Sequence, residues 1–235
     1  MTVCGKIYAV GIGPGDPELL TLKAVRVLRE CRHIAVPRGR QEGESLALSI
    51  IGKAVGLGGK NILNIHFPMV KDLRPEALAP VAAGVLDILK KDEDVAFVTL
   101  GDPTLYSTFF RLYDALLAIE PAIHAEVVPG VTSVTASSAR AGLRLALSGE
   151  RVAILPAAYI KDLKDVLSRF ETVVLMKVHS VLPDVKKALA ESGLLENAVY
   201  VCRAGLPGEI VKPLGKVSQE DLDYFSTVIV RRNGK

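Results

Sequence analysis

The sequence has no tryptophan, and aromatic residues make up only 5% of its 235 positions. A surface that grips single-stranded nucleic acid by stacking bases on rings is therefore disfavoured. Cysteine is scarce too. Cys4, Cys31 and Cys202 are odd in number and show no CxxC or metal-ligand spacing. They read as reduced thiols of a cytoplasmic protein. His33, His66, His124 and His179 share no HxxxH or HExxH pattern, which argues against a metal site. No apolar run approaches the ~18 residues of a membrane span. The first residues carry no charged leader, so no signal peptide is expected. Charge is also nearly absent as a signal. Twenty-nine Lys and Arg against 26 Asp and Glu leave +3, with no Lys/Arg-rich run; Arg231-Arg232 near the end is only a pair. Such a balance does not call for nucleic acid and is compatible with an anionic small molecule.

Several familiar motifs are missing as well. There is no GxSxG elbow. Gly56-Leu57-Gly58-Gly59-Lys60 is not a phosphate loop, because Asn61 stands where Ser or Thr is needed. Gly11-Ile12-Gly13-Pro14-Gly15-Asp16 is not the dinucleotide fingerprint, because Asp16 replaces its last glycine. No acidic residue ends the second strand, His33–Val36, which runs into Pro37-Arg38.

What is present is an apolar share of 49% and a regular alternation of strand-like and helix-like segments. Strands are expected at Lys6–Val10, His33–Val36, Asn61–His66 and Val95–Thr99. Helices are expected at Leu19–Glu30, Glu44–Val55, Pro75–Lys91 and Ser107–Ile119. In the first helix Leu22, Val25 and Leu28 form one face, with Asp16 as N-cap and Pro17 at the first position. This order predicts an α/β fold with a mostly parallel sheet. The pattern restarts near Glu120-Pro121. Strands follow at Ala125–Val128, Val152–Leu155, Thr172–Val178 and Ala198–Cys202. Helices lie between them, and Glu209–Val211 and Thr227–Val230 follow with no long helix between. A second α/β domain with a mixed sheet is predicted, giving domains 1–120 and 121–235.

Three predicted strand ends carry glycine. Gly11–Pro17 is either a loop that lets a ligand reach the backbone or a tight strand-to-helix turn. Gly101-Asp102-Pro103 ends a strand where open α/β sheets bind ligands; Asp102 either faces a ligand or caps the next helix. In Pro129-Gly130-Val131-Thr132-Ser133, the hydroxyls of Thr132 and Ser133 suit a helix cap or a ligand.

These strand ends, in this order, resemble the tetrapyrrole methylase family. So do Val174-Leu175-Met176-Lys177 and Cys202-Arg203-Ala204-Gly205-Leu206-Pro207, and the likeness covers essentially the whole chain. Within the family, Pro14–Ala24, His66–Asp72 and Gly101–Thr108 are most similar to the branch that methylates C20 of precorrin-2 or cobalt-factor II. Uroporphyrinogen methylases carry a Phe-Gly-Arg-Gly run where this sequence has Tyr106-Ser107-Thr108.

The resemblance implies two α/β domains, the second completing the cofactor site in a cleft between them, usually in a homodimer. It implies S-adenosylmethionine as cofactor and S-adenosylhomocysteine as product. Gly101, Asp102, Pro103 and Tyr106, with Thr132 and Ser133, would contact the methionine end and ribose. Met176 and Ala204-Gly205 would lie against the adenosine. Gly13, Pro14, Gly15 and Asp16 would border a trough for a tetrapyrrole, the expected partner in place of nucleic acid or membrane. No metal of the protein's own is expected. Arg38, Arg40, Lys71 and Arg74 either pair with the substrate's carboxylates or are solvated charges. Asp16 and Asp102 are candidates for a base by location. Within the same fold, a methylase of ribosomal RNA or of a modified histidine is the rival, and the lack of basic clusters counts against RNA.

Overall fold

The computed structural model describes residues 5–38, 45–67 and 75–232. Cys4, Arg40, Lys71, Arg74 and the loop Pro68–Asp72 lie outside the described residues. The chain divides into two compact units, Met1–Thr132 and Ser133–Lys235.

The first unit alternates strands and helices: β1 Ile7–Gly11, α1 Leu22–Glu30, β2 His33–Arg38, α2 Leu46–Val55, β3 Asn61–His66, α3 Ala79–Leu89, β4 Val95–Thr99, α4 Phe109–Ile119 and β5 Ala125–Val128. All five strands are parallel, in the order β3-β2-β4-β1-β5. The strands are short runs of Val, Ile and Ala because both faces are covered. Ile7, Ala9, Val95 and Phe97 pack with α3 and α4, while Val10, Ala96 and Val98 pack with α1 and α2. The two-residue alternation thus feeds two cores, one on each face. A boundary near residue 120 would cut β5 from β1, its partner in the sheet. The first unit instead runs to Thr132.

Two local expectations change. Asp16 caps only a short 3-10 turn, Pro17–Leu19, by accepting the Glu18 N–H at 2.9 Å. Leu20 is extended, and Thr21 caps α1 proper, its hydroxyl accepting from the Ala24 N–H at 3.1 Å. This later start rotates the buried face to Ala24, Val27 and Leu28, and Leu22 is 91% exposed. Strand β2 continues through Pro37 to Arg38. There β4 no longer runs alongside and only β3 is paired, so the missing N–H is tolerated.

The second unit comprises α5 Ser133–Arg140, β6 Val152–Pro156, α6 Leu163–Arg169, β7 Thr172–Met176, α7 Leu182–Glu191, β8 Ala198–Cys202, β9 Ile210–Pro213 and β10 Ser226–Arg231. Its sheet is mixed, in the order β6-β7-β10-β8-β9, with β6 and β7 parallel and every other pair antiparallel. Leu167 of α6 and Leu182, Val185 and Leu189 of α7 cover one face, over Leu175, Tyr200 and Val228. The β10 terminus holds a buried charge. The Arg231 guanidinium, 2% exposed, donates to the Glu150 carboxylate at 2.9 and 3.1 Å and to the carbonyls of Arg144 and Leu145. It pins the connection between α5 and β6. Among the described residues no helix is long and apolar enough to cross a membrane.

Candidate functional site

In the first unit β4 lies between β2 and β1. The helices that leave β1 and β2 pack on one face, and the helix that leaves β4 packs on the other. Crossovers diverging in this way open a crevice at the carboxyl ends of the strands, where open α/β sheets bind ligands. The turns that follow β1 and β4 meet there. The Ile12 N–H donates to the Thr99 carbonyl at 3.0 Å and the Gly101 N–H to the Gly13 carbonyl at 2.8 Å, so the chains beyond β1 and β4 are bridged. Gly13 and Gly101 both have φ +73°, which favours glycine.

Asp102 joins the third strand end. Its Oδ2 accepts the Gly130 N–H at 2.9 Å, and its Oδ1 accepts the Thr104 N–H at 2.8 Å and the Thr104 hydroxyl. Burial pushes this carboxyl up, but the hydrogen bonds from Thr104 and Gly130 outweigh it and hold the group below its ordinary value. Asp102 is therefore an ionised brace between loops, and its lowered basicity counts against it as the proton acceptor. Nor does it cap α4. Thr108 stands at its N-cap, and the Ser107 Oγ before it accepts the Phe109 N–H at 3.1 Å.

The glycines let the strand ends approach one another. A Cβ on Gly130 would lie 2.3 Å from the Gly101 carbonyl oxygen, and one on Gly11 would lie 2.7 Å from the same atom. At these two positions the close approach is of backbone to backbone. Gly13, Pro14 and Gly15 are buried and Asp16 is half-buried. Pro103 is buried, whereas Tyr106 is 44% exposed at φ +53°. A bulky side chain at positive φ is strained, a condition that clusters at ligand sites. Thr132 ends this unit, half-buried.

The second unit gathers the remaining residues at one end of its own sheet. Strands β7 and β8 end at Met176 and Cys202, on either side of the start of β10. Met176 pairs with Thr227 and Cys202 with Ser226. The next residues, Lys177 and Arg203, have φ +57° and +53°. The Lys177 N–H donates to the Ser226 carbonyl at 2.9 Å and the Arg203 N–H to the Phe225 carbonyl at 2.8 Å. The turn after β8 carries buried Ala204 and half-buried Gly205, and half-buried Met176 ends β7 on the other side of β10. Ser133 opens α5, which lies against β10 and β8.

Sequence reasoning missed the groups that hold this turn. The Arg203 guanidinium donates to the Pro207 carbonyl at 2.8 Å and to Asp223 at 3.1 Å. Glu209 accepts the Gly205 N–H. The only local signal was an unusual density of glycine beside these charges. Arg38 lies elsewhere, on β2, donating to Asn64 at 2.7 Å. Among the described residues no three His, Cys, Asp or Glu side chains stand together as a metal site needs.

Comparison with known proteins agrees with this arrangement. Residues 6–218 match the family of Tetrapyrrole (Corrin/Porphyrin) Methylases. The chain is 37% identical over 233 residues to the cobalt-precorrin-2 C(20)-methyltransferase of Salmonella typhimurium, covering 97% of both chains. It is 35% identical to the probable cobalt-precorrin-2 C(20)-methyltransferase of Methanocaldococcus jannaschii, covering 97% of this chain and 96% of the relative. Among solved structures, the uroporphyrin-III C-methyl transferase of Thermus thermophilus complexed with S-adenosylhomocysteine has the same fold. The TM-score is 0.69 at 24% identity, covering 97% of this chain and 98% of that one. The family match over residues 6–218 and the relatives similar from end to end show that this chain belongs to the tetrapyrrole methylase family.

Proposed function

We propose that the protein transfers a methyl group from S-adenosylmethionine to C20 of precorrin-2 in its cobalt form, a step of corrin synthesis. The observation that carries this reading is the end-to-end likeness, over 97% of both chains, to an enzyme named for that substrate and that carbon. The second such relative, at 35% identity, is also named for the cobalt form. Tyr106-Ser107-Thr108 after Gly101-Asp102-Pro103 supports the same branch over the uroporphyrinogen methylases.

The cofactor supplies a methyl already activated on a positive sulfur, which leaves as a neutral thioether while the substrate carbon gives up a proton. The protein is left with positioning. A reacting pair held about 3–3.5 Å apart gains ~7–11 kcal/mol over free encounter. The residues present suit this donor. The carboxylate of Asp102 is held ionised in the turn after β4, and its charge favours a sulfonium. The exposed Tyr106 ring and the half-buried Met176 thioether offer apolar surface. In this reading Gly101, Asp102, Pro103, Tyr106 and Thr132 of the first unit hold the cofactor. Ser133, Met176, Ala204 and Gly205 of the second do likewise, while Gly13–Asp16 face the macrocycle. A homodimer in the cytoplasm completes it. The buried free thiols Cys31 and Cys202 fit that compartment, burial pushing Cys31 up to about 12 and Cys202 in the same direction.

The test is regiochemical. With methyl-labelled cofactor and cobalt-loaded substrate, carbon NMR of the product should show one label, at C20. A label on any other carbon, or turnover of uroporphyrinogen III in its place, overturns the assignment of this branch.

A further inference from the structure

The turn after β8 is built from residues that resist ordering. Arg203, Gly205 and Gly208 all have positive φ, at +53°, +75° and +79°. Pro207 and Gly208 are exposed. Two backbone bonds close the turn, from the Leu206 N–H to the Arg203 carbonyl at 2.8 Å and from the Glu209 N–H to the Leu206 carbonyl at 3.2 Å. Neither fixes the Ala204–Gly205 peptide. That falls to the Glu209 side chain, whose Oε2 accepts the Gly205 N–H at 2.7 Å. Its Oε1 lies 2.7 Å from both Nε and Nη2 of Arg140, in the last turn of α5. One carboxylate with only 18% of its side chain exposed thus joins two segments 69 residues apart in sequence. Those segments are the helix that Ser133 opens and the turn that carries Ala204 and Gly205.

We propose that Glu209 is a positioning residue for cofactor binding, setting the Ala204–Gly205 peptide against α5 through Gly205 and Arg140. The inference rests on the reading above that Ser133, Ala204 and Gly205 contact the cofactor. A charge-assisted bond to backbone, backed by an arginine, is the stronger kind of hydrogen bond. Truncation would leave the Gly205 N–H without its acceptor and free a turn with three left-handed residues. Binding would then have to order that turn again, which lowers affinity without touching the tetrapyrrole.

The test compares Glu209→Ala, Glu209→Gln and Arg140→Ala in the full-length protein. Titration calorimetry with S-adenosylhomocysteine gives Kd, and steady-state kinetics at saturating cofactor give kcat and the tetrapyrrole KM. For Glu209→Ala we expect Kd weakened on the order of 10–100-fold. The tetrapyrrole KM and kcat should stay within about twofold, since uniform loss of cofactor binding is recovered at saturation. Glu209→Gln keeps an oxygen for the Gly205 N–H and should recover most of the affinity. Arg140→Ala alters a half-exposed side chain and should weaken Kd on the order of 3–10-fold. It carries the test if the Glu209→Ala protein does not fold. Wild-type affinity in both alanine variants overturns the proposal, as does a tetrapyrrole KM that rises in step with Kd. A wild-type protein that binds no S-adenosylhomocysteine overturns instead the cofactor reading on which the proposal rests.

Discussion

The carboxylate of Asp102 accepts the backbone N–H of Gly130 at 2.9 Å, joining turns 28 residues apart at the ends of β4 and β5. Thr104 supplies two further donors. Asp102→Ala would leave the Gly130 and Thr104 amides without this acceptor, at a cost of about 1–3 kcal/mol. Asp102→Asn keeps the volume and one acceptor oxygen, so it should fall between alanine and wild type. Urea unfolding at pH 7 checks the order.

The same carboxylate sets a pH dependence. Its folded-state value is depressed, because the bonds from Thr104 and Gly130 outweigh the upward push of burial. The stability it adds is fully present above the unfolded-state value, about 3.9. It is lost as pH falls from there through the folded value. Unfolding midpoints measured from pH 6 to pH 2.5 should converge for wild type and Asp102→Asn at the acid end. A constant difference across that range would contradict the account.

Much of this was legible in the sequence. The strand–helix alternation gave away the parallel sheet, since short Val- and Ile-rich runs between amphipathic segments have few other solutions. Its strand order was not legible. Nothing local says that β4 inserts between β2 and β1, and that insertion brings Gly13 beside Gly101. The glycines were legible, but the Cβ clash between Gly130 and Gly101 that they avoid was not, because it is a tertiary fact. Leu22 was misplaced because 22, 25 and 28 also make a helical stripe. Only the Thr21 cap decides where the helix begins. In the second unit nothing local gives the parts that Lys177, Arg203 and Glu209 play. Their backbone angles and partners depend on how β10 returns between β7 and β8.

The glycine packing gives a contrast within one unit. Gly130→Ala would place a Cβ 2.3 Å from the Gly101 oxygen, and that oxygen is backbone, so the turns must separate. We expect a loss on the order of 1–3 kcal/mol, in the range of overpacking. Gly84, inside α3, has open space where a methyl would stand, with nothing within 4 Å. Gly84→Ala should stabilise by about 0.5–1 kcal/mol through helix propensity. Thermal unfolding of the two variants side by side should move in opposite directions.

Arg231 supports a prediction about stability alone. Its guanidinium is buried and satisfied by Glu150, by Thr172 Oγ1 at 3.2 Å and by two carbonyls. Arg231→Ala strands those acceptors and frees the connection before β6. Tm should fall on the order of 5–10 °C. Arg231→Lys should rescue little, because an ammonium cannot reproduce the fork. Equal Tm for the lysine variant and wild type would show that charge, not geometry, is what this site requires.

The final prediction separates nucleotide classes. The loop after β1 has Asp16 where a dinucleotide fold needs its third glycine, and β2 ends in Pro37-Arg38 without an acid for a ribose. Calorimetry should therefore detect S-adenosylmethionine and S-adenosylhomocysteine and no NAD. Gly101→Val adds a control at the proposed site. At φ +73° a β-branched side chain is strained whatever space surrounds it. The bridge from the Gly101 N–H to the Gly13 carbonyl would distort with it. S-adenosylhomocysteine affinity should drop at least ~10-fold, a change of about 1.4 kcal/mol. Circular dichroism is needed alongside, to show that the sheet persists. Unchanged affinity in a folded Gly101→Val protein would move the cofactor away from the end of β4.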